Sequence, residues 1–408
     1  MKAENRTEEQ NSPCFQSRMS KLTQNFKSKF STNQQFTWLI IYAIIAIIAG
    51  AQSYLLGLKE VNGVTFTHYN NFDIFRFSFD HLINGKDLYI PYPDDHYDLF
   101  KYSPAFALAF GLFKIFPVWL GLIFWNALNS VMLALGILKL PKLTNEQKNW
   151  ALLLCLIETF TSIQSSQCNG LIAGLILLAF SATEKQQIWR ATLFLSITVF
   201  IKLFGIVAFA LFLLYPQKVK TAVSTVAWFL LFTLIPLVVV SMEQLELLYL
   251  SWLKLLGNDH GLSFGFSLMG WLHYWFGLNI NKLHLLGLGI ILFLLPFIRL
   301  KRYSEQSFRL LLLSMVLIWV ILFNHMAESP TLVIAVIGIA VWYFSNPRSL
   351  FDKVLLGLTI VLTSLSGTDL FPANIRHDVI YPYVVKVFPI ILVYGKLMFE
   401  LMKKKQPG

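Results

Sequence analysis

The chain has little charge, few cysteines and none of the common loops that hold nucleotides. Asp, Glu, Lys and Arg make up 13% of its 408 residues, about half the share of roughly 25% in a soluble globular domain. Its three cysteines are an odd number without metal-type spacing, so they predict neither a disulfide framework nor a metal site. A Gly-rich loop ending in Lys-Ser/Thr and an HExxH motif are also absent. Any energy-rich substrate therefore has to bind within a membrane bundle or at its surface.

What the chain does have is a high apolar content, 56% of all residues, arranged in repeated runs. Each run is long enough, as a helix, to cross much of a hydrocarbon core about 30 Å thick. The first run follows about 36 polar residues without a cleavage pattern, so we expect it to be retained. The sequence predicts an all-α polytopic membrane protein of about twelve spans (10 to 13). We place them near residues 37–57, 104–116, 118–139, 149–163, 168–182, 189–214, 219–241, 280–299, 307–325, 330–345, 351–366 and 383–402.

The distribution of basic residues predicts the orientation of the chain. The net charge of +11 comes from Lys and Arg in short loops and both ends, as the positive-inside rule requires, rather than from a patch for nucleic acid. We expect a cytoplasmic polar tail at residues 1–35, a single transmembrane domain at 36–403, and a basic C-terminal tail at 404–408. Simple alternation then places the Lys-bearing loop at 139–148 outside, against the charge rule, so one short segment is a candidate for re-entry.

The loop at residues 59–103 follows the first span and contains a candidate amphipathic helix. Asp73, Arg76 and Asp80 are spaced by three and four residues, so they share roughly one helix face. Phe72, Phe75 and Phe79 cover another face. One interpretation is that Asp73, held by Arg76, is a general base at the membrane surface. The alternative is that these charges form the solvated face of the helix.

The second half of this loop combines aromatic and acidic residues. Such side chains suit stacking on sugar rings and bonding of hydroxyl groups, but an aromatic belt at the membrane interface has the same composition. The adjacent acids are also a weak signal for a divalent cation. The residues concerned are Tyr92, Tyr97, Tyr102, Asp94, Asp95 and Asp98.

A second candidate site involves polar residues within the apolar runs. Lys202 is flanked by apolar residues on both sides, and a cation at span depth costs roughly 2.5–3.5 kcal/mol. It is a candidate partner for a lipid phosphate, or it reaches a nearby surface, or it pairs internally with Glu158. Gln164, Gln167 and Asn169 interrupt another run, and they line a cavity or hydrogen-bond across helices.

His325 and Glu328 end one span just before Pro330 begins the next. Their spacing of three residues permits a helical pair. This pair has a role as an acid and base or in phosphate binding, or it is a structural cap.

The ordered set of short motifs resembles glycosyltransferase family 87, over roughly residues 37–400. Members of that family have the GT-C fold and use a polyprenyl-phosphate sugar as donor. The motifs are Asp73 to Phe77 (D-x-x-x-F), Gly85 to Tyr89 (G-x-x-L-Y), Tyr102 to Pro104 (YSP), Gln167 to Gly170 (Q-x-N-G), Ile201 and Lys202 (IK), and Ser329 and Pro330 (SP).

The resemblance implies roles for residues of this chain. Asp73 would be the catalytic base that activates an acceptor hydroxyl, which attacks the anomeric carbon and expels the polyprenyl phosphate with inversion. Lys202 and His325 would stabilise the departing phosphate, and no metal or other cofactor is implied. The chain departs from mannosyltransferase members at NHMAESPTL and at SFGFSLMG, where Ser267 and Leu268 survive. The other predicted donor-phosphate or substrate-binding residues are Arg76, Tyr102, Gln167, Asn169, Glu328 and Ser267.

These observations lead to one hypothesis and two alternatives. The leading hypothesis is a glycosyltransferase of the cell (inner) membrane, with its active site outside the cytoplasm. It transfers a hexose, with mannose as first candidate, from a polyprenyl-phosphate donor to a lipid-linked or cell-envelope glycan acceptor. The first alternative is a transporter or flippase of a polar lipid or glycolipid, but no internal repeat supports it. The second is a non-catalytic scaffold, which would leave Asp73, Lys202 and His325 far apart.

Overall fold

The computed structural model describes residues 13–61, 63–258 and 264–403, with side chains from residue 33 onward apart from positions 62 and 258–263. The predicted tail at 404–408 and the first twelve residues of the tail at 1–35 lie outside this range. The described chain is mostly helical, which confirms the predicted class of a helical membrane protein. The first helix begins at Pro13, inside the predicted polar tail, and continues to Leu56.

The helices follow one another through short connections. They are α1 (Pro13–Leu56), α2 (Asn70–Ile83), α3 (Pro104–Lys114), α4 (Val118–Lys139), α5 (Asn145–Gln164), α6 (Asn169–Glu184), α7 (Ile188–Ile201), α8 (Gly205–Ala208), α9 (Lys218–Leu234), α10 (Met242–Asn258), α11 (Leu268–Phe276), α12 (Lys282–Leu294), α13 (Gln306–Leu322), α14 (Leu332–Phe344), α15 (Leu350–Leu358), α16 (Ala373–Ile375) and α17 (Phe388–Met402). Tighter or wider turns extend several of them: Phe209–Leu214, Ile235–Val238, Leu295–Ile298, Leu300–Arg302, Ser329–Thr331, Thr359–Leu365, Arg376–Ile380 and Val385–Val387.

Each of the twelve predicted spans overlaps at least one of these helices. Within the described residues, three helices are both long and apolar enough to cross a membrane: Asn33–Leu56, Val118–Lys139 and Lys218–Val238. Several others are shorter apolar helices packed inside the bundle. The structure thus supports a helical membrane bundle, and the number of spans stays a prediction.

The predicted interruptions separate helices, and one further break was not predicted. Residues 165–168 of the polar run lie between α5 and α6, and Pro117 lies between α3 and α4, as expected for residues that leave backbone groups unpaired. The segment 189–214, predicted as one span, is divided at Lys202. Lys202 has an extended backbone (φ −147°, ψ 136°) at the end of α7. The break takes a cationic residue out of a helix that would otherwise carry it through apolar surroundings.

Close helix packing holds the centre of the bundle together. Helix α6 is buried over most of its length, and Gly174 lets α4 approach it closely. A Cβ atom at Gly174 would lie 2.4 Å from the backbone oxygen of Met132, so a larger residue has no room there. Small residues of this kind are what membrane helices use for close contact. Helices α13 and α14 are likewise buried almost throughout.

A short β-hairpin interrupts the all-α pattern, and no sequence pattern predicted it. Strands β1 (Leu58–Val61) and β2 (Val64–Thr67) pair antiparallel, with Leu58 opposite Thr67 and Val61 opposite Val64. The hairpin lies between α1 and α2, at the start of the loop predicted for 59–103. It ends at Thr67, directly before the helix that carries Asp73.

Candidate active site

Helix α2 is fixed in place by its phenylalanines. Phe72 and Phe75 are fully buried, as the predicted apolar face requires. The Phe75 ring makes edge contacts with Tyr102, Phe106 and Trp125 at centroid distances of 4.8, 5.1 and 5.6 Å. Such contacts orient aromatic side chains specifically. The helix is therefore held firmly against the bundle, and its polar residues have defined positions.

Asp73 is 7% exposed, which contradicts the alternative that it belongs to a solvated face. The Thr67 hydroxyl donates a hydrogen bond to Oδ2 at 2.5 Å, while Oδ1 has no hydrogen-bond partner among the described residues. Burial raises the pKa of Asp73 to about 6, although the Thr67 bond and the nearby Arg76 cation oppose the rise. A carboxylate with a pKa near the working pH and one free oxygen is suited to accept a proton.

The other charges of α2 have separate partners. Arg76 acts on Asp73 through its field rather than through a direct ion pair, so the predicted contact between them is wrong. Asp80 pairs instead with Lys114 of α3. The three residues predicted to share one charged face therefore do different things. Asp73 lines a pocket. Arg76 affects Asp73 through its electrostatic field, and Asp80 ties α2 to α3.

Asp73 lines a cavity of about 470 Å³, here called the carboxylate pocket. Asn70 links the two sides of this pocket, because its side chain exchanges hydrogen bonds of 2.7 and 2.9 Å with the Tyr97 backbone. Asn70 and Asp73 are one helical turn apart, so the loop that carries Tyr97 is held opposite Asp73. The lining residues are Leu58, Val64, Thr65, Phe66, Thr67, Asn70, Asp73, Pro91, Tyr92, Pro93, Asp94, Asp95, His96, Tyr97, Asp98 and Leu99.

A second cavity of about 250 Å³, the lysine cavity, adjoins the first. The two share Asp98 and Leu99 as lining residues, and α2 contributes Asn71 and Ile74 to the second. Four residues predicted for substrate binding line the lysine cavity together: Tyr102, Gln167, Lys202 and Glu328.

Lys202 does not pair with Glu158, so that alternative for its role is wrong. The Lys202 Nζ atom lies 5.8 Å from the Tyr102 ring centroid and 5.1 Å from that of Phe204. Glu158 is paired with Lys386 at 3.1 Å. Lys202 thus presents its cation to the cavity between two aromatic rings, which stabilise a cation at this distance.

A hydrogen-bond network forms one wall of the lysine cavity. The Gln167 Nε2 atom donates to Glu328 Oε2 at 2.5 Å. Asn169 Nδ2 donates to Gln167 Oε1 at 2.5 Å and to the Pro330 oxygen at 3.1 Å. The Q-x-N-G and SP motifs are therefore in contact, 161 residues apart in the chain. The network fixes the Glu328 carboxylate at the cavity surface.

His325 and Ser267 lie elsewhere. Both line a third cavity of about 240 Å³, which shares Leu256 with the lysine cavity. The Ser267 hydroxyl accepts a hydrogen bond from the Gly270 backbone at 3.3 Å and caps α11. The structure therefore brings Asp73 near Lys202 and Glu328 but turns His325 toward a neighbouring space, while Asn324 and Met326 face the lysine cavity.

Several residues of the site escaped sequence reasoning. Thr67 precedes Asp73 by six residues, yet nothing in the sequence marks the hairpin that brings them together. Lys386 donates to the Ser329 hydroxyl at 2.8 Å and so supports the SP turn beside Glu328. A lysine within an apolar run was the signal that could have identified Lys386, but we applied it only to Lys202. Among the described residues, no group of three or more His, Cys, Asp and Glu side chains is arranged to hold a metal ion.

The helical membrane fold, with a buried carboxylate in a pocket next to a cavity lined by a lysine side chain, fits a membrane-embedded enzyme. Comparison with known families agrees: the model for glycosyltransferase family 87 matches residues 100–365. The chain belongs to glycosyltransferase family 87 and is a membrane glycosyltransferase. A search of curated proteins found no match. The matched region includes Tyr102, Lys202 and Glu328, but it begins at residue 100 and so does not cover Asp73 and Arg76.

Proposed function

We propose that the enzyme transfers a hexose, with mannose as first candidate, from a polyprenyl-phosphate sugar to a glycolipid or glycan acceptor, with inversion. One observation carries the proposal: the half-satisfied carboxylate of Asp73 lies in a pocket that shares a wall with the cavity of Lys202. A proton acceptor and a cation on neighbouring sides of one space are what glycosyl transfer from a phosphate donor requires.

An apolar groove supports a lipid-linked donor. It has a volume of about 330 Å³ and is bounded by α3, α4, α6, α7 and α9. Phe200 and Ile201 line it directly before Lys202, so an isoprenoid chain in the groove would place its phosphate next to the lysine. The lining residues are Ala105, Phe106, Ala109, Phe110, Leu112, Phe113, Trp125, Leu128, Leu171, Ile197, Phe200, Ile201 and Phe232.

The proposed reaction is a single displacement. The acceptor hydroxyl loses its proton to Asp73 Oδ1 as its oxygen attacks the anomeric carbon. The bond from that carbon to the phosphate oxygen breaks, and polyprenyl phosphate leaves with the electron pair. Lys202 offsets the negative charge that develops there. Because attack and departure occur on opposite faces, the anomeric configuration inverts.

The remaining residues of the lysine cavity suit the sugar of the donor. Glu328 and Gln167 offer acceptors and donors for hydroxyl groups, with Asn169 holding Gln167 in position. Tyr102 contributes an aromatic face. His325 lines the third cavity and does not line the lysine cavity. We therefore assign the donor phosphate to Lys202 alone.

The proposal includes the location of the chemistry. We assign residues 36–403 to one GT-C-like catalytic domain in the cell (inner) membrane. The tails at 1–35 and 404–408 face the cytoplasm, and the pocket in the 59–103 loop faces outside. This orientation follows from the basic residues near both ends. Work on a glycan outside the cytoplasm would make the enzyme part of cell-envelope biogenesis.

The test is transfer of radiolabelled sugar from polyprenyl-phosphate mannose to a membrane glycolipid extract by purified protein in lipid nanodiscs. We expect Asp73→Asn to lower transfer by about 100-fold or more, because the proton acceptor is lost while the shape is kept. Asp80→Asn on the same helix is the matched control and should remain active. Near wild-type transfer by Asp73→Asn would remove Asp73 from its role.

A second variant tests the donor side. Lys202→Met keeps the length and apolar stem of the side chain but removes the cation. We expect kcat to fall and the KM for the donor to rise. In vesicles, movement of labelled donor across the bilayer without any transfer would instead support the transporter alternative.

A further inference from the structure

We infer that the carboxylate pocket is the acceptor subsite and that it selects an uncharged sugar over a phosphorylated one. This rests on the proposed function, in which Asp73 takes a proton from the acceptor. The carboxylate pocket has a volume of about 470 Å³, which lies in the range of small-molecule pockets, roughly 300–1,000 Å³. Asp73 lines this space and its Oδ1 has no hydrogen-bond partner among the described residues, so a hydroxyl group bound there would lie next to the base.

Stacked aromatic rings shape the walls of the pocket. Phe66 of the hairpin and Tyr97 of the opposite loop stack in parallel, with centroids 4.6 Å apart and planes inclined by 7°. Tyr92 stacks on His81 at 3.7 Å, and its hydroxyl donates to the Asp87 oxygen at 2.7 Å. The Phe66–Tyr97 contact closes the rim from both sides, and Tyr92 has a fixed orientation.

The charges of the lining are of one sign. Four aspartates line the pocket, Asp73, Asp94, Asp95 and Asp98, and among the described residues no Lys or Arg does. Asp95 is bound by the His81 Nε2 atom at 2.8 Å, which leaves Asp94 and Asp98 with oxygens available to sugar hydroxyls. These carboxylates accept hydrogen bonds from a neutral polyol and repel a phosphate.

Two lysines lie near the rim, and their positions sharpen this conclusion. Lys59 Nζ is 4.8 Å from the Phe66 ring centroid, and Lys86 Nζ is 5.6 Å from that of Tyr92. Neither lines the pocket. In contrast, Lys101 and Lys202 both line the adjoining lysine cavity. The cations that would bind a phosphate are therefore on the donor side of the shared wall, and the acceptor side is acidic.

The test uses two synthetic acceptors with the same alkyl tail and the same disaccharide, one with a 6-phosphate on its terminal hexose. Transfer to each is measured at low ionic strength, and binding of the two soluble disaccharides is measured separately without donor. The variant is Asp94→Asn/Asp98→Asn, which keeps shape; Asn also tolerates the positive φ of residue 98 (76°). Asp378→Asn, an exposed acid outside the pocket, is the control.

We expect the wild type and the control to prefer the neutral acceptor by about tenfold or more, and the double variant to bring the ratio within about threefold. High salt should also reduce the preference. Equal use of both acceptors by the wild type, or a ratio that the double variant leaves unchanged, overturns the inference. If no acceptor is glycosylated, the proposed function fails. The binding ratio then decides the subsite: a neutral preference lost in the double variant supports it, and any other ratio refutes it.

Discussion

Helix α2 and the interior of the bundle each bury a carboxylate, but the two carboxylates have different partners. Asp73 in α2 is 7% exposed and Glu158 in α5 is fully buried. Glu158 faces the Lys386 ammonium group at 3.1 Å. One oxygen of Asp73 accepts a hydrogen bond from the neutral Thr67 hydroxyl, and the other has no hydrogen-bond partner among the described residues. Asp73 also lines a pocket. The charge of Glu158 is neutralised by a cation in direct contact, whereas Asp73 has no such cation among the described residues.

This difference fits a structural role for Glu158 and the proposed chemical role for Asp73. Lys386 also donates to Ser329 and accepts, through its backbone oxygen, a hydrogen bond of 2.8 Å from Thr363. It thereby ties α5 to three segments of the C-terminal half. Asp73 makes a single hydrogen bond, to Thr67 of the hairpin, and its other oxygen has no partner among the described residues, as its proposed role as a base requires. Burial alone does not mark a functional carboxylate, and neither does an oxygen without a hydrogen-bond partner, because Glu158 has one too. What sets Asp73 apart is that it lines a pocket, whereas Glu158 is paired with the Lys386 cation.

The largest effect is expected from breaking the Glu158–Lys386 pair. Lys386→Met leaves Glu158 buried without its cation, which costs about 3–5 kcal/mol of unfolding free energy. Thermal or denaturant unfolding in detergent micelles measures the loss. Lys396→Met is the matched control, because Lys396 is partly exposed and pairs with Asp352 and Glu400 at 3.6 and 3.5 Å. That change should cost about 1 kcal/mol or less.

A double variant checks the cause. Glu158→Leu/Lys386→Met replaces the pair with apolar side chains, and such replacement is often neutral or stabilising. We expect it to recover most of the stability that the single variant loses. A Lys386→Met protein as stable as the wild type would contradict the structural role of the pair.

The next effect concerns Asp73 and pH. Because burial raises the pKa of Asp73 to about 6, the base is ionised above that pH and is protonated below it. Transfer should therefore fall as pH decreases through 6, and be lower by about tenfold at pH 5 than at pH 7. Initial rates of kcat/KM between pH 4.5 and 8 measure this. A profile that stays flat down to pH 5 would contradict a base with the raised pKa of Asp73.

The comparison also shows what the sequence was able to predict. Apolar runs indicated nearly all the helices, because burial in lipid requires helical backbone. The phenylalanines predicted which face of α2 is buried. The partner of Asp73 was beyond reach, since Thr67 is brought near by a hairpin of four-residue strands whose register carries no clear pattern.

Long-range partners were the second limit. The apolar run around Lys202 marked this cation as one that needs a stabilising partner. Glu158 was one candidate for that partner, but Glu158 is bound to Lys386, 228 positions further along the chain. A pattern of spacing cannot choose between two buried lysines when the choice depends on helix packing. The contact of Gln167 with Glu328 was missed for the same reason, although both residues had been singled out separately.

A smaller effect should follow from the hydrogen bond that Asp73 does have. Thr67 stabilises the ionised carboxylate and so opposes the rise of its pKa. Thr67→Val keeps the β-branched shape and removes the donor, so the pKa of Asp73 should increase further and the acid limb should move to higher pH. At pH 6.5 we expect transfer to fall by about threefold. Thr65→Val, on the same strand, should leave the limb in place.

The smallest effect is expected at Asp80, and it completes the comparison on a single helix. Asp80 lies seven residues after Asp73 and pairs with Lys114, and both side chains are more than a quarter exposed, at 26% and 29%. Because solvent screens such a pair, Asp80→Asn should change the unfolding free energy by about 1 kcal/mol or less. The pH profile of transfer should be unchanged, since Asp80 does not line the carboxylate pocket. If Asp80→Asn moved the acid limb as far as Thr67→Val, the charge that sets the limb would belong to the whole face of α2 rather than to Asp73.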